Sequence, residues 1–390
     1  MQVQSNIKIL KWFNFFSEFK LYLPIAIIYF SQVTGSFTLG MSIFSLVMIS
    51  SAVFEIPTGV FSDRIGRRKT VIWGAFAAVL CGSFYAIGQS FWILAIGTIF
   101  EGLSRSFYSG NNDALLHDTL TQSKNKQQYS EFLGKVSTTL QIAGGLSAVL
   151  GGILATKSLP IIMWLSVIPQ IVCVVLAFKL IEPKIHTNNC ENVYLHLKEA
   201  YEKFLHNKKL RLLSLSSMIG SGFGDASYKF VPAFYNTLWP VWAIGIVGTL
   251  SNIAGALSFH FSGKLIRKFG ALKLLFTDYI FNRMANIVAA AFPTFLSPLL
   301  MSATSVSFGV ATVAKSTLMQ QEFADEERAT MGSLNSLAGS ILFGLVSILL
   351  GFTADLLSPA KAILLLQTVL LVNFFIYWKL FKHDIKYCVV

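Results

Sequence analysis

From Ile9 to Leu380 the chain repeats one pattern: about twenty apolar, nearly uncharged residues, then a charged or Gly/Pro/Ser-rich break. A helix of that length crosses the roughly 30 Å hydrocarbon core of a bilayer. Twelve such stretches are read, over 9–32, 41–60, 70–88, 91–114, 132–155, 160–180, 211–235, 241–262, 271–291, 295–315, 330–354 and 360–380. Composition removes the water-soluble alternative. Only 13% of the 390 residues are charged and 54% are hydrophobic, whereas a soluble domain carries about 25% charged residues. Barrel strands would alternate in segments of about ten residues, so helices, which close their own backbone hydrogen bonds, are the expected spanning form. The first stretch lacks a small-residue cleavage site and is needed as a span, so no signal peptide is expected.

Lys and Arg set the expected orientation. Lys157 and Lys361 fall in the loops after odd-numbered spans, and Lys20, Arg105, Lys229 and Arg283 lie inside proposed spans. The rest of the 31 bases lie in or beside the termini and the loops after even-numbered spans. Both termini are therefore expected in the cytoplasm, and the net charge of +12 is mostly a topology signal. The bases form no aromatic-interleaved patch, so no nucleic-acid partner is expected. Cys81, Cys173, Cys190 and Cys388 form no CxxC pair, and neither a disulfide nor a metal site is expected.

Two charged loops are copies of one another. Gly59-Val-Phe-Ser-Asp-Arg-Ile-Gly-Arg-Arg-Lys69 and Gly263-Lys-Leu-Ile-Arg-Lys-Phe-Gly-Ala-Leu-Lys273 lie 204 positions apart, pairing Gly59 with Gly263, Gly66 with Gly270 and Lys69 with Lys273. The chain thus reads as a unit built twice, with halves at 1–181 and 210–390. Residues 182–209 join them as an amphipathic linker helix on the membrane surface. The first copy, with Gly59, Asp63, Arg64, Gly66, Arg67 and Arg68 in place, resembles the loop between the second and third helices of the major facilitator superfamily. Glu101 to Asp118 and Glu327-Arg328-Ala-Thr-Met-Gly-Ser333 resemble bacterial members further. Ser147-Ala-Val-Leu-Gly-Gly152 lacks the Pro of the Gly-Pro-x-x-Gly-Gly found in many exporters. The resemblance implies an all-α membrane protein of twelve helices in two six-helix halves related by a pseudo-two-fold, with helices one, four, seven and ten lining the cavity. It also implies a multi-pass protein of the bacterial inner membrane working as a monomer.

Ionisable side chains inside spans cost about 2.5–3.5 kcal/mol each on insertion scales, so their default reading is functional. A first span running from Ile9 to Gln32 places Glu18 and Lys20 near mid-bilayer, whereas a start near Phe19 would place both at the cytoplasmic surface. Glu101 and Arg105 stand at i,i+4 on one face of the fourth span, continued by Tyr108 and Asn112. Asp225 and Lys229 repeat the arrangement on the seventh, shortly before Pro232 as Lys20 precedes Pro24. Carboxylates in an apolar cavity exchange protons near neutral pH, which makes Glu18, Glu101 and Asp225 the proton-coupling candidates. Lys20, Arg105 and Lys229, with Tyr108 and Asn112, are the substrate-binding candidates. Arg283 with Asp278, Asn282 and Asn286 forms a stripe on the ninth span, expected to pack against a neighbour.

The loop motif is expected to act as a gate. Gly59 and Gly66 allow close approach and positive φ. In the arrangement that the family resemblance implies, Asp63 would face the start of the eleventh helix, whose dipole favours an anion. Arg67 would bridge to Asp113 or, second, to Asp118, and Glu55 would join the same network. Arg267 replaces Asp63 in the second copy, so the halves would share a scaffold and not a gate. No P-loop occurs, which argues against direct use of ATP, and no cofactor is expected. His117-Asp118 is a His/Asp neighbour pair at a helix end without a nearby nucleophile, and neither HExxH nor GxSxG occurs, so an enzyme is not expected. A receptor that has lost transport is the remaining alternative. The leading expectation is proton-coupled export of small amphiphilic compounds by alternating access. A specific anionic metabolite or chelator such as a siderophore is the alternative.

Overall fold

The computed structural model describes residues 2–109, 111–122, 129–182, 207–322 and 328–388. Side chains are described at all of these except 2–5, 63, 113, 122, 129–135, 137, 320–322, 328–333 and 381–388. Every regular element among the described residues is helical. In chain order these are α1 (Gln2–Glu18), a 3-10 turn (Leu23–Ile25), α2 (Ala26–Thr34), α3 (Phe37–Ile65), α4 (Arg67–Ile87), α5 (Phe91–Tyr108), α6 (Asn111–Gln122), α7 (Tyr129–Ala155) and α8 (Leu159–Lys179). They continue as α9 (Lys208–Tyr235), α10 (Val241–Phe269), α11 (Ala271–Ala291), α12 (Ser297–Ala303), α13 (Ser305–Glu322), α14 (Arg328–Leu356), α15 (Pro359–Leu370) and α16 (Val372–Cys388).

Eight stretches among the described residues are long and apolar enough to cross a membrane, and they coincide with eight of the expected spans. The other four (9–32, 91–114, 211–235 and 271–291) carry Glu18/Lys20, Glu101/Arg105, Asp225/Lys229 and Asp278/Arg283. The charges lower the hydropathy of the last three, and the first is divided into helices of 17 and 9 residues. Large apolar side chains such as Ile56 (78% exposed) and Trp92 (75%) face outward, as hydrocarbon contact requires and water would not tolerate over so wide an area.

The duplicated loops have one geometry. A 29-residue helix, a single glycine and a 21-residue helix occur twice, as α3–Gly66–α4 and α10–Gly270–α11. Gly66 has φ +99° and Gly270 φ +83°, a left-handed region open to glycine at little cost. Gly59 needs no such freedom: it lies inside α3, and a Cβ added there would meet nothing within 4 Å, contrary to the expectation for it. Glu182 explains the rest of Gly66. Its two carboxylate oxygens accept from Arg67 N and Arg68 N at 2.7 Å each, capping α4, and a Cβ on Gly66 would meet Glu182 Oε1 at 2.7 Å. Asn6 fastens the same end of the chain, exchanging hydrogen bonds with the backbone of Ile181 at 2.8 and 2.9 Å. Charge-assisted bonds to backbone N–H groups at a helix start are strong. Glu182→Ala is expected to cost about 2 kcal/mol, read as a lower Tm of the purified protein, with Glu182→Gln intermediate.

Four expected single helices are broken, among them the tenth span at Thr304 between α12 and α13. The first span unwinds over residues 19–22 because Pro24 has no N–H and its ring would clash with the Lys20 carbonyl of a continuing helix. Leu23 N donates to that carbonyl instead, at 3.1 Å. The fourth span breaks between α5 and α6, where the Ser109 N–H still bonds Arg105 O at 2.8 Å but Ser109 itself is extended, with ψ 124°. The twelfth breaks at Leu371. Pro232 stays inside α9, one turn from its end, where less helix remains to be disturbed.

The chain divides into two compact units, residues 1–188 with 240–249, and 189–239 with 250–390. Each buries a core from equivalent elements. In unit 1 Leu10, Phe13, Val71, Leu115 and Cys173 join α1, α4, α6 and α8. In unit 2 Leu213, Leu275, Ala314, Leu318 and Tyr377 join α9, α11, α13 and α16. The expected linker helix at 182–209 lies mostly outside the described residues.

Candidate substrate and coupling site

The break in the first span opens a small pocket inside unit 1, of about 70 Å³, lined by charged, polar and aromatic side chains. Ser17, Glu18, Lys20 and Tyr22 come from the break, Ala78, Cys81 and Gly82 from α4, Glu101, Ser104, Arg105 and Tyr108 from α5, and Ser166 and Gln170 from α8. Unwinding matters here. A continuous helix would carry Glu18 and Lys20 on nearly opposite faces, whereas both line this pocket.

Glu101 is the fixed acid. Tyr85 Oη donates to its Oε2 at 2.7 Å, and Cys81 Sγ lies 3.9 Å from the same oxygen. Tyr85 is held in turn by edge-on contacts with Tyr22 and Phe30, at 5.9 and 5.1 Å between ring centroids. Lys20 is attracted by Glu101 and Glu18 and repelled by Arg105. The pocket therefore holds two acids and two bases that balance each other.

Five of the eight expected coupling and substrate residues (Glu18, Lys20, Glu101, Arg105 and Tyr108) are thus brought together. Asn112 does not. It stands on α6 beyond the break at Ser109, so the helical face expected to continue from Arg105 ends at Tyr108. Asp225 and Lys229 lie on α9 in unit 2, with the Lys229 ammonium 5.9 Å from the Tyr228 ring. There a second charged cluster forms. Lys315 on α13 interacts with Asp225 and Asp278. Arg283 donates to Gln367 Oε1 on α15, while Gln367 Nε2 reaches Ser227 Oγ at 3.2 Å. That is the neighbour packing expected of Arg283. Lys315 escapes sequence reasoning as the last residue of a predicted span. Ser166, Gln170 and Tyr85 escape it because a search for charges passes over neutral polar groups. A glutamine in the most apolar candidate span, of mean hydropathy 2.5, is the signal that could have found one of them.

At the motif end of unit 1, Arg67 Nη1 donates to Ser62 Oγ at 3.0 Å, and Nε lies 4.0 Å from Asp118 Oδ2. Ser62 Oγ donates to Asn111 Oδ1 at 2.8 Å, and Asn111 Nδ2 donates to Arg67 O at 3.1 Å. His117 Nδ1 lies 3.4 Å from Asp118 Oδ1. The second-choice acid, Asp118, is the partner seen. The side chains of Asp63 and Asp113, and the 328–333 segment expected to receive Asp63, lie outside the described residues. Glu55 accepts from Ser109 Oγ at 2.8 Å, near the expected gate, and Arg64 is exposed.

The family model described as Major Facilitator Superfamily matches residues 9–347. An uncharacterized MFS-type transporter of Methanocaldococcus jannaschii is 22% identical over 351 residues, covering 87% of this chain and 88% of its own. The multidrug resistance protein MdtG of Escherichia coli is 26% identical over 294 residues, covering 70% and 69%. The crystal structure of a point mutant of the nucleoside transporter NupG superposes with a TM-score of 0.84 at 12% identity, over 97% of this chain and all of that one.

Proposed function

The chain belongs to the Major Facilitator Superfamily, and from that premise we propose a proton-coupled transporter that works by alternating access and whose cargo is a small polar anion. The balanced quartet of Glu18, Lys20, Glu101 and Arg105 in one pocket supports this reading above all. An anion bound by Lys20 and Arg105 takes away the positive charge that compensates Glu101. A carboxylate left uncompensated in a poorly hydrated pocket is costly, and protonation removes the cost. Substrate and proton are then linked by electrostatics alone. Arrival of one favours arrival of the other, and departure of one favours departure of the other.

Proton-coupled export of amphiphilic compounds is the second reading, favoured by the likeness to MdtG. It ranks below the first because four charged side chains, Glu18, Lys20, Glu101 and Arg105, line the same small pocket, more charge than an apolar cargo needs to meet. The wider picture completes the proposal: twelve spans in halves 1–181 and 210–390, a linker at 182–209, both termini in the cytoplasm, and a monomer in the bacterial inner membrane. Direction of transport follows the gradients imposed on such a device.

Charge selectivity tests the choice. Proteoliposomes containing the full chain are expected to move organic anions, and Lys20→Ala or Arg105→Ala to lower that rate by about tenfold or more, the loss of a charged hydrogen bond. Both variants should leave any movement of an apolar cation unchanged. Anion transport indifferent to both substitutions would refute the anion reading.

A further inference from the structure

Gln170 on α8 is 3% exposed and lines the pocket. Its Nε2 donates to Phe16 O at 3.3 Å. That bond fixes the amide, since a flipped side chain would set carbonyl against carbonyl. Oε1 therefore keeps its place, buried and without a hydrogen-bond partner. Buried polar atoms are nearly always paired, so an orphan inside a cavity calls for an explanation. Ser166, one turn away on the same face, spends its single proton on Ile162 O at 2.8 Å. It too turns only lone pairs to an incoming group. This wall of the pocket thus offers two acceptors, Gln170 Oε1 and the Ser166 hydroxyl oxygen, while Lys20 and Arg105 supply the positive charge.

We propose that the substrate is a small anion that also carries a hydroxyl or N–H group, a hydroxy- or amino-carboxylate by class, and that Gln170 Oε1 reads that donor. The inference rests on the anion reading above and narrows it. The carboxylate goes to Lys20 and Arg105, and the hydroxyl or N–H to Gln170 with Ser166 beside it. A site built to bond such a group rejects the analogue lacking it, because its own buried acceptor then stays unpaired.

Matched acids test this in proteoliposomes of the full chain under a pH gradient: lactate against propionate, and malate against succinate. In at least one pair the hydroxy acid is expected to move about tenfold faster than its partner or more. Gln170→Met should bring that ratio to within about twofold, through loss of the hydroxy acid's advantage. Should Gln170→Met fail to fold, the wild-type ratio and its reduction in Ser166→Ala decide the matter. Equal rates within both pairs, or a ratio that survives the substitutions, overturn the inference and leave the anion reading standing. Movement of ethidium with none of the four acids moved overturns both.

Discussion

Glu101→Gln is expected to abolish transport driven by a pH gradient, by about 100-fold or more, the scale on which positioned proton-transfer groups act. Exchange of substrate down its own gradient should continue. The substitution keeps the shape and an acceptor, so the Tyr85 hydroxyl that now donates to Oε2 at 2.7 Å still finds a carbonyl oxygen, and the fold should be retained. What disappears is the ability to be charged in one state and neutral in the other. Lys20 then has only Glu18 as a compensating acid among the groups acting on it that carry a full negative charge, so anion binding should persist or tighten. A variant that loses exchange and gradient-driven movement together would mean that Glu101 serves binding or folding.

The second large effect is steric. A Cβ on Gly151 would lie 2.0 Å from the Leu21 carbonyl oxygen, in the unwound segment that carries Lys20. Backbone cannot retreat there as a flexible side chain would. Gly151→Val is expected to cost more than about 3 kcal/mol, beyond ordinary overpacking, and to prevent accumulation of folded protein or lower its Tm severely. Gly144→Val on the same helix meets nothing within 4 Å and should change Tm little beyond the weaker helix propensity of valine. Equal tolerance of both would show that α7 does not press on the break. Gly152 makes a similar approach to Gly245, with Cβ-to-Cα spacing of 2.9 Å. The Gly-Gly pair therefore has a packing reason in this chain without the proline of the exporter pattern.

How much is legible in the residues alone depends on the physics involved. Gly66 and Gly270 are legible because duplicated loops repeat their backbone needs, and both adopt the same positive φ. Pro24 is visible too, but whether a proline kinks a span or dissolves it depends on what packs around it, as its continuous counterpart around Pro232 shows. Charged side chains in spans announce themselves by their insertion cost, which makes Lys20, Glu101 and Arg105 conspicuous. Gln170 carries no such penalty, and only the fold shows its oxygen buried and unpaired. Glu182 and Lys315 stand at predicted boundaries, where one or two residues decide between loop and helix end. Asn112 is misplaced for the same reason, since a single break at Ser109 rotates everything beyond it.

Proton linkage in the unit 1 pocket is tested most directly by following internal pH in proteoliposomes loaded with a pH-sensitive dye while substrate flows down its own gradient. Wild-type protein should move protons with the substrate, in a fixed ratio and against no initial pH difference, and Glu101→Gln should carry substrate with no accompanying pH change. Substrate flow through wild-type protein that leaves internal pH unaltered, or a proton signal undiminished in Glu101→Gln, would contradict it.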